Sequence, residues 1–497
     1  MHPLAQLDLK HVWHPFTQMR DWLSEEPLVI VSGRGATLRD AHGRTYLDAN
    51  ASIWTNLHGH RHPALDRALR RQLARIAHCS ALGLANEPAS LLAAELVRVA
   101  NPARLRSPAA PVPNPILERV FYSDDGSTAL EVALKQAWEF ARRTRGHRRP
   151  RFLSLQGAYH GDTLGAVALG HIDRFHAAFG GMLYRTDAVM APYCYRCPYN
   201  RARPERADAR TYRVCQWECV SRIEQACHRA TRQNRPYAAF AFEPLLQGAA
   251  GMIPQPDGWL ARAAQVVRGH GALLIADEVF TAFGRTTAAT RPPRSPQPHL
   301  FACHRESVQP DFLCLAKGLS GGYLPLAATL TTGPVFEAFL GEYSEFKTFF
   351  HGHSFTGNPL GAAVALESLH LLQHPDGLRQ RANLETALTR LLPPLWHLPS
   401  VGDVRQVGLV AAVELVRDWP TRTPFHPHER VGLRVCQAMR QRGVLTRPIG
   451  DVVVVMPPYC TTPTQLRRMI HALIEAIDEV VPGNDEAPIS SRTRTAQ

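Results

Sequence analysis

The chain has 497 residues, of which 45% are hydrophobic and 8% aromatic, and its formal net charge is +13. This size and apolar content predict a globular protein of two to three domains and exclude a disordered or fibrous chain. The charge does not indicate nucleic-acid binding, because the arginines are scattered and their one dense run, at residues 142–151, follows a helical segment. No apolar stretch approaches the length of a membrane span and the amino terminus lacks the layout of a signal peptide, so we expect a cytoplasmic protein without a membrane or nucleic-acid partner.

The amino-terminal residues predict an arm followed by a hairpin. The arm contains HVWHPFTQM, which is rich in aromatic residues and histidine, and it leads into RGATLRDAHGRTYLDA. The alternation around DAHG is typical of a β-hairpin. We expect residues 1–60 to pack with a smaller domain formed by the end of the chain.

Residues 61–375 alternate between strand and helix patterns. Helices are predicted at about 63–76 and 87–100, and strands are predicted to end near Ser123 and Glu243. This alternation predicts a large, doubly wound α/β domain. We expect inserts on this domain near residues 106–115, 190–220 and 286–299.

A possible phosphate site follows the strand that ends near Ser123. The sequence SDDGSTALEVALK places Gly126, Ser127 and Thr128 at the start of a long helix. The first turn of a helix presents free N–H groups and the positive end of the dipole to an anion. Alone the triplet is a good helix cap, whereas beside a lysine that forms a Schiff base it would be a phosphate site.

The stretch 271–322 places a carboxylate and a lysine at the ends of two short apolar runs. Asp277 ends GALLIAD, and Lys317 follows PDFLCLA. In an open α/β sheet both side chains would reach the crevice outside the carboxyl ends of the strands. A lysine in an apolar setting can attack a carbonyl, and a carboxylate suits a pyridinium nitrogen, so the pair indicates a pyridoxal phosphate site. A buried ion pair is the structural alternative.

Tyr159 follows a third predicted strand, in the sequence GAYHG. An aromatic ring at this position could stack on a planar cofactor. A buried tyrosine at a strand end is common, so this interpretation depends on its neighbours.

Four cysteines form a group with the spacing of a metal site. The sequences PYCYRCPYN and RVCQWECV contain Cys194, Cys197, Cys215 and Cys219. The C-x2-C and C-x3-C pairs are close to the pattern of a zinc ribbon, and the segment between them is polar. The second pair is looser than usual, so unligated cysteines are the alternative.

From about Asp376 the pattern changes to a smaller α+β domain. It includes short strands around VGDVRQVGLVAAVEL and VVVVMPP, and it ends with a helix at about Thr464–Val480. We predict that this domain spans residues 376–482. Residues 483–497 are polar, without an apolar face, and are expected to be a disordered tail.

Several motifs, in this order, resemble those of the class III, fold type I, pyridoxal phosphate aminotransferases over nearly the whole chain. They are WHPFTQM, FYSDDGSTALEVALK, YHGDTLGAVALG, ADEVFTAFGRT, LAKGLSGG, HGHSFTGNP and GVLTRPIGD with VVMPPY. The resemblance implies that Lys317 binds pyridoxal 5'-phosphate covalently and that Asp277 pairs with its pyridine nitrogen. It also implies that Tyr159 stacks on the ring, and that Gly126 and Ser127 hold the phosphate together with Ser354 from the other subunit of a homodimer.

The resemblance further implies a substrate and the residues that contact it. The expected reaction is transamination of 8-amino-7-oxononanoate in biotin biosynthesis, with S-adenosyl-L-methionine as amino donor. Phe16 stands where some relatives have a tyrosine, so lysine as donor is one alternative. Another class III ω-aminotransferase, acting on a diamine or ω-amino acid, would share every cofactor residue and is the second alternative. Arg447 resembles the arginine that binds the substrate carboxylate, and we conjecture that Glu243 pairs with it when no carboxylate is bound. The other expected substrate contacts are Phe16, Trp54, Asp162, Arg285 and Gly352.

Overall fold

A computed structural model describes residues 1–105, 114–287 and 299–482. Within these ranges the strands are β1 Ile30–Arg34, β2 Thr37–Asp40, β3 Thr45–Asp48, β4 Leu117–Ser123, β5 Arg151–Leu155, β6 Asp187–Val189, β7 Tyr237–Phe242, β8 Leu246–Gln247, β9 Ile253–Pro254, β10 Leu273–Asp277, β11 Phe312–Leu315, β12 Ala327–Thr332, β13 Val401–Val407, β14 Val410–Leu415, β15 Val444–Leu445, β16 Pro448–Ile449 and β17 Val452–Val455.

The helices of the same ranges are α1 Pro3–His11, α2 Met19–Trp22, α3 Ala51–Trp54, α4 Pro63–Leu73, α5 Glu87–Ala100, α6 Gly126–Arg145, α7 Leu164–Leu169, α8 Asp173–His176, α9 Ala209–Tyr212, α10 Glu218–Arg232, α11 Trp259–Gly269, α12 Gly333–Glu337, α13 Pro359–Gln373, α14 Pro375–Leu391, α15 Val431–Gln441 and α16 Pro463–Val480. None of them is long and apolar enough to cross a membrane.

The central sheet has seven strands in the order β4-β12-β11-β10-β7-β5-β6. Six of these strands run in the same direction, and β12 runs opposite to them. Alternate residues of β10 face different apolar clusters: Leu273 and Ile275 pack in the cluster that contains α6, and Leu274 and Ala276 pack in the other. Both faces of the sheet are therefore covered, which confirms the predicted doubly wound α/β fold.

Helix α6 begins at the end of β4 because its first turn is capped. The Asp125 carboxylate accepts the Thr128 N–H, and the Thr128 hydroxyl accepts the Asp125 N–H in return. Apolar residues then recur at helical spacing along the face that packs on the sheet, and the helix ends at Gly146, which has φ +65°. The helix start is thus fixed at one edge of the sheet.

Two smaller sheets lie outside the central one. Strands β1, β2 and β3 form the predicted hairpin region, and β3 pairs in parallel with β15 near the end of the chain. Strands β13, β14, β17 and β16 form an antiparallel sheet. The domain bounds at residues 60 and 375 stay predictions. The predicted proline-rich insert at 106–115 and the one at 286–299 fall mostly outside the described residues, and the tail at 483–497 lies wholly outside them.

Candidate active site

Residues at five strand ends meet in one cavity of about 720 Å³. Lys317 follows β11, Asp277 ends β10, Glu243 follows β7, Tyr159 lies beyond β5, and Gly126 follows β4. The carboxyl ends of parallel strands share one edge of the sheet, so side chains far apart in sequence become neighbours there. The structure therefore brings Asp277 and Lys317 to one cavity.

Lys317 is half-buried and lies among aromatic side chains. Its Nζ is 4.8 Å from the centre of the Trp54 ring and 5.7 Å from that of Phe280. Its burial lowers the pKa of the amine, and the negative charges of Asp277 and Glu243 oppose that shift without reversing it. Lys317 also has a φ of +42°, a strained backbone for a residue with a side chain. The amine is thus held in a setting that favours its neutral, nucleophilic form.

Asp277 is buried and held by two hydrogen bonds. Its Oδ1 accepts the Val279 N–H at 3.1 Å, and its Oδ2 lies 2.8 Å from His160 Nδ1. Burial disfavours a charged His160, but the hydrogen bond and the charge of Asp277 raise the pKa of this imidazole overall. The sequence analysis missed His160, although the residue follows Tyr159 in the same motif.

Glu243 is a second buried carboxyl group at this edge. It accepts the Gly248 N–H at 2.8 Å and the Tyr159 N–H at 3.5 Å. Burial raises the pKa of Glu243 to about 7, with the Asp277 charge acting in the same direction and His160 against it. Among the described residues no ion pair joins Glu243 to Arg447. The structure therefore does not support the conjecture that these two side chains pair when no carboxylate is bound.

The raised pKa of Glu243 makes stability depend on pH. A carboxyl with a higher pKa in the folded protein contributes stability that is present below its ordinary pKa of 4.5 and is lost as the pH rises through about 7. From the difference of these two values we expect Glu243→Gln to gain up to about 3 kcal/mol of unfolding free energy relative to the wild type between about pH 5 and pH 8. Urea unfolding of the cofactor-free proteins at several pH values measures this free energy. A difference between variant and wild type that stays constant from pH 5 to pH 8 would contradict the prediction.

The start of α6 borders the cavity, and its first residue, Gly126, has no space for a side chain. A Cβ on Gly126 would lie 2.7 Å from Val279 Cγ1. The neighbouring Ser127 hydroxyl lies 2.7 Å from the Thr163 hydroxyl and accepts the Thr163 N–H at 2.9 Å. The helix start, Ser127 and Thr163 all line the cavity, as expected for a phosphate site.

Tyr159 and Asp162 line the same cavity and contact each other. The Tyr159 hydroxyl donates to Asp162 Oδ2 at 2.6 Å, and burial, with this hydrogen bond, raises the pKa of the phenol. The phenol therefore stays protonated, and its ring remains available to stack on a planar group.

Trp54 reaches the cavity from a strained turn. Residues 51–54 have φ between +45° and +68°, and the Trp54 indole donates to Asn50 Oδ1 at 2.8 Å. Four successive non-glycine residues in the left-handed region are costly unless their surroundings enforce it. The sequence did not reveal this turn, because none of these residues is a glycine.

Phe16 and Arg447 line a second cavity of about 680 Å³. Arg447 Nη2 donates to the Phe16 carbonyl at 2.9 Å, and the Phe16 ring lies 6.2 Å from the Tyr159 ring, centre to centre. Because Tyr159 lines the first cavity, the two cavities adjoin at this aromatic pair.

Three other predicted site residues line neither of these two cavities. Arg285 is wholly buried, where it donates to the Pro457 carbonyl at 2.7 Å and stacks on Tyr459. Gly352 and Ser354 are exposed on the loop before α13. These positions leave the two loop residues available to another chain, whereas Arg285 is inaccessible to a substrate in this structure.

The four cysteines line a separate cavity of about 20 Å³. As their side chains stand, no group of three or more His, Cys, Asp or Glu residues in the described part of the chain is arranged to hold a metal ion. Zinc binding by these residues therefore stays a prediction.

Comparison with known proteins relates the chain to transaminases along most of its length. Residues 20–477 match the family model described as aminotransferase class-III. A protein of Nitratidesulfovibrio vulgaris called adenosylmethionine-8-amino-7-oxononanoate aminotransferase is 46% identical over 95% of this chain and 81% of its own. One of Geobacter sulfurreducens with the same name is 45% identical over 97% of this chain and 98% of its own.

Solved structures give the same relation. The enzyme of that name from Methanocaldococcus jannaschii has a TM-score of 0.83 at 34% identity, covering 96% of this chain and 98% of its own. An omega transaminase from Pseudomonas jessenii, solved in complex with PMP, has a TM-score of 0.83 at 27% identity, with the same coverage of both chains.

Proposed function

We propose that this chain, which belongs to the class III aminotransferases, transfers an amino group to 8-amino-7-oxononanoate to form 7,8-diaminononanoate in biotin biosynthesis, with S-adenosyl-L-methionine as donor. One observation carries the chemistry: Lys317 and Asp277 line the same cavity at adjacent strand ends. The names of relatives that are 45–46% identical over nearly the whole chain support the substrate and the donor.

The residues around Lys317 fit pyridoxal 5'-phosphate, the cofactor of this family. The start of α6 and Ser127 would hold the phosphate, Tyr159 would lie against the ring, and Asp277 would accept a hydrogen bond from the protonated ring nitrogen. The bound cofactor supplies a carbonyl that condenses with amines and a ring that accepts electrons from the adjacent carbon.

The chain's own groups control the protons of the reaction. Lys317 Nζ, whose pKa is lowered by burial, can bind covalently as a neutral amine. When released, it could take the proton from the amine-bearing carbon of the donor in the first half-reaction and deliver one to the former ketone carbon of the acceptor in the second. Asp277 would keep a positive charge at the ring nitrogen, and His160 holds that carboxylate in place. Trp54 and Phe280 form an aromatic wall beside the amine. Donor and acceptor use the same lysine in turn, so the kinetics should be ping-pong.

Arg447 suits the carboxylate end of the acceptor. In 8-amino-7-oxononanoate a long aliphatic chain separates the ketone from the acid, so the acid must bind away from Lys317. The second cavity adjoins the first at Tyr159 and Phe16, and Arg447 lies in it with a backbone carbonyl as its hydrogen-bond acceptor. A guanidinium exchanges such a partner readily for a carboxylate, which it binds with two hydrogen bonds.

We expect Arg447→Ala to raise KM for 8-amino-7-oxononanoate about 100-fold with little change in kcat, because a charge-assisted hydrogen bond of about 2 to 3 kcal/mol is lost. Steady-state kinetics at saturating donor measure this. Arg434→Ala is the matched control, since its guanidinium lines the same cavity and donates to a backbone carbonyl. A KM for the Arg447 variant equal to that of the control would contradict the assignment.

The amino donor is tested by the first half-reaction alone. S-adenosyl-L-methionine should convert the bound cofactor to its amine form, observed as loss of its visible absorbance, whereas lysine and simple diamines should not. Conversion by lysine alone would favour the alternative donor. Conversion by diamines, without turnover of 8-amino-7-oxononanoate, would favour another ω-aminotransferase.

We also propose a homodimer with active sites at the subunit interface. Large apolar side chains are exposed on the loop that precedes α13 and on the segment before α5; they include Phe346, Phe350, Phe355, Leu82 and Leu84. Ser354 and Gly352 belong to the same loop and would reach the partner's cofactor site. Light scattering should give twice the chain mass.

We also propose a cytoplasmic location. None of the ten cysteines, all of which lie in the described residues, forms a disulfide, as is usual in a reducing compartment.

A further inference from the structure

A long segment with little regular structure joins β6 to α10. Between Val189 and Glu218 it contains a short 3₁₀ turn at Cys194–Arg196 and the four-residue helix α9. Three of its buried side chains, Cys194, Tyr195 and Ala209, form a small cluster separate from the main core, with Tyr193 and Tyr212 packed against it. A connection of this length usually requires support beyond its own packing. We call residues 190–219 the cysteine segment.

The cysteine segment is bonded to the sheet formed by β13 and β14. Arg196 Nε donates to Glu414 Oε1 at 2.6 Å, and Arg210 Nη2 donates to the Gln406 carbonyl at 2.9 Å. Tyr193 and the wholly buried Arg405 both contact Glu414 as well. The segment therefore connects the central sheet to the smaller one, and loss of its shape would loosen this connection.

Four thiols converge at the base of this segment. Cys194 and Cys219 are buried, Cys197 and Cys215 are half-buried, and all four line one small cavity without forming a disulfide. As they stand, the Cys194 thiol donates to the Pro192 carbonyl at 3.9 Å and Cys215 Sγ accepts from Arg213 Nη1 at 2.9 Å. The first of these bonds uses a thiol hydrogen, which a metal-bound sulfur lacks, whereas the second does not.

We propose that Cys194, Cys197, Cys215 and Cys219 bind one structural zinc ion. Four thiolates are a complete tetrahedral ligand set, which suits a structural rather than a catalytic ion. Binding requires Cys194 to turn from the Pro192 carbonyl. It replaces four thiol protons with one Zn²⁺ and releases the four protons to solvent, leaving a net charge of −2 on the centre.

Arg213 favours this assignment. Its guanidinium already donates to Cys215 Sγ, a contact that can remain when that sulfur is a metal ligand, and it is stacked on Trp217 with 4.1 Å between the guanidinium carbon and the ring centre. A fixed cation beside the thiolates offsets their excess negative charge, and such outer hydrogen bonds orient metal ligands. The zinc would hold the start of α10 and the Cys194–Arg196 turn together.

The test uses the full-length holoenzyme, purified without added metal or chelator. Elemental analysis should find about one zinc per chain, and protein produced with Co²⁺ should show the visible bands of tetrahedral cobalt thiolate. Cys215→Ser combined with Cys219→Ser should lose the zinc and those bands and should unfold at lower temperature. Cys79→Ser, a half-buried cysteine outside the segment, is the matched control and should keep the zinc.

Two results would overturn the proposal. One is wild-type protein with neither stoichiometric zinc nor cobalt thiolate bands after growth with these metals. The other is a double variant that keeps its zinc, because the ion would then lie elsewhere. If the double variant does not fold, release of zinc from the wild type by a mercurial thiol reagent decides: release in step with the titration of four thiols supports the site, and release without thiol titration contradicts it.

Discussion

Lys317→Ala should lower kcat by about 10⁴-fold and remove the chromophore that borohydride reduces onto the chain. The variant loses the only amine that lines the cavity within the described residues. The other three lysines of the sequence, Lys10, Lys135 and Lys347, do not line it. Both effects follow from one atom, because Nζ provides both the covalent bond and the proton transfer.

The control for this prediction is Lys10→Ala, which changes an exposed lysine near the end of α1. It should retain wild-type turnover and the reducible chromophore. Mass spectrometry after borohydride treatment should place the added mass on the peptide that contains Lys317. Turnover of Lys317→Ala within about tenfold of the wild type would remove the assignment of Lys317 as the catalytic amine.

The sequence was sufficient to predict the parts of the site that depend on strand order alone. Short apolar runs ending in Asp277 and Lys317 predict two strands, and the carboxyl ends of parallel strands meet by geometry. The capped start of α6 is equally local, since Asp125 and Thr128 are close in sequence. The sheet topology confirms the predicted fold, and the match to the family model confirms the resemblance.

The remaining features depend on contacts that no local pattern encodes. His160 is hydrogen-bonded to Asp277, which lies 117 residues later in the sequence. The left-handed turn at residues 51–54 is imposed by its surroundings rather than by glycine. The burial of Arg285 depends on the packing of Tyr459 and the Pro457 carbonyl from the end of the chain. Only the folded structure places these partners together.

Asp277→Asn should lower kcat by about 10³-fold while leaving the fold intact. Asparagine has nearly the same shape, and its side-chain oxygen can still accept the Val279 N–H, so the loop after β10 should keep its position. What is lost is the negative charge that stabilises a protonated ring nitrogen when the reacting carbon gives up its proton. His160 also loses its counter-charge, so its raised pKa should fall.

Asp277→Glu is the matched control, because it keeps the charge but moves the carboxylate. If charge is the essential property, Asp277→Glu should retain more activity than Asp277→Asn, whereas a purely structural role would reverse that order, since glutamate is the bulkier change in a buried site. The amount of bound cofactor and the midpoint of thermal unfolding should be measured for both variants, so that loss of cofactor is separated from loss of chemistry. Asp277→Asn with a full complement of cofactor and a kcat within about tenfold of the wild type would contradict the role of the carboxylate.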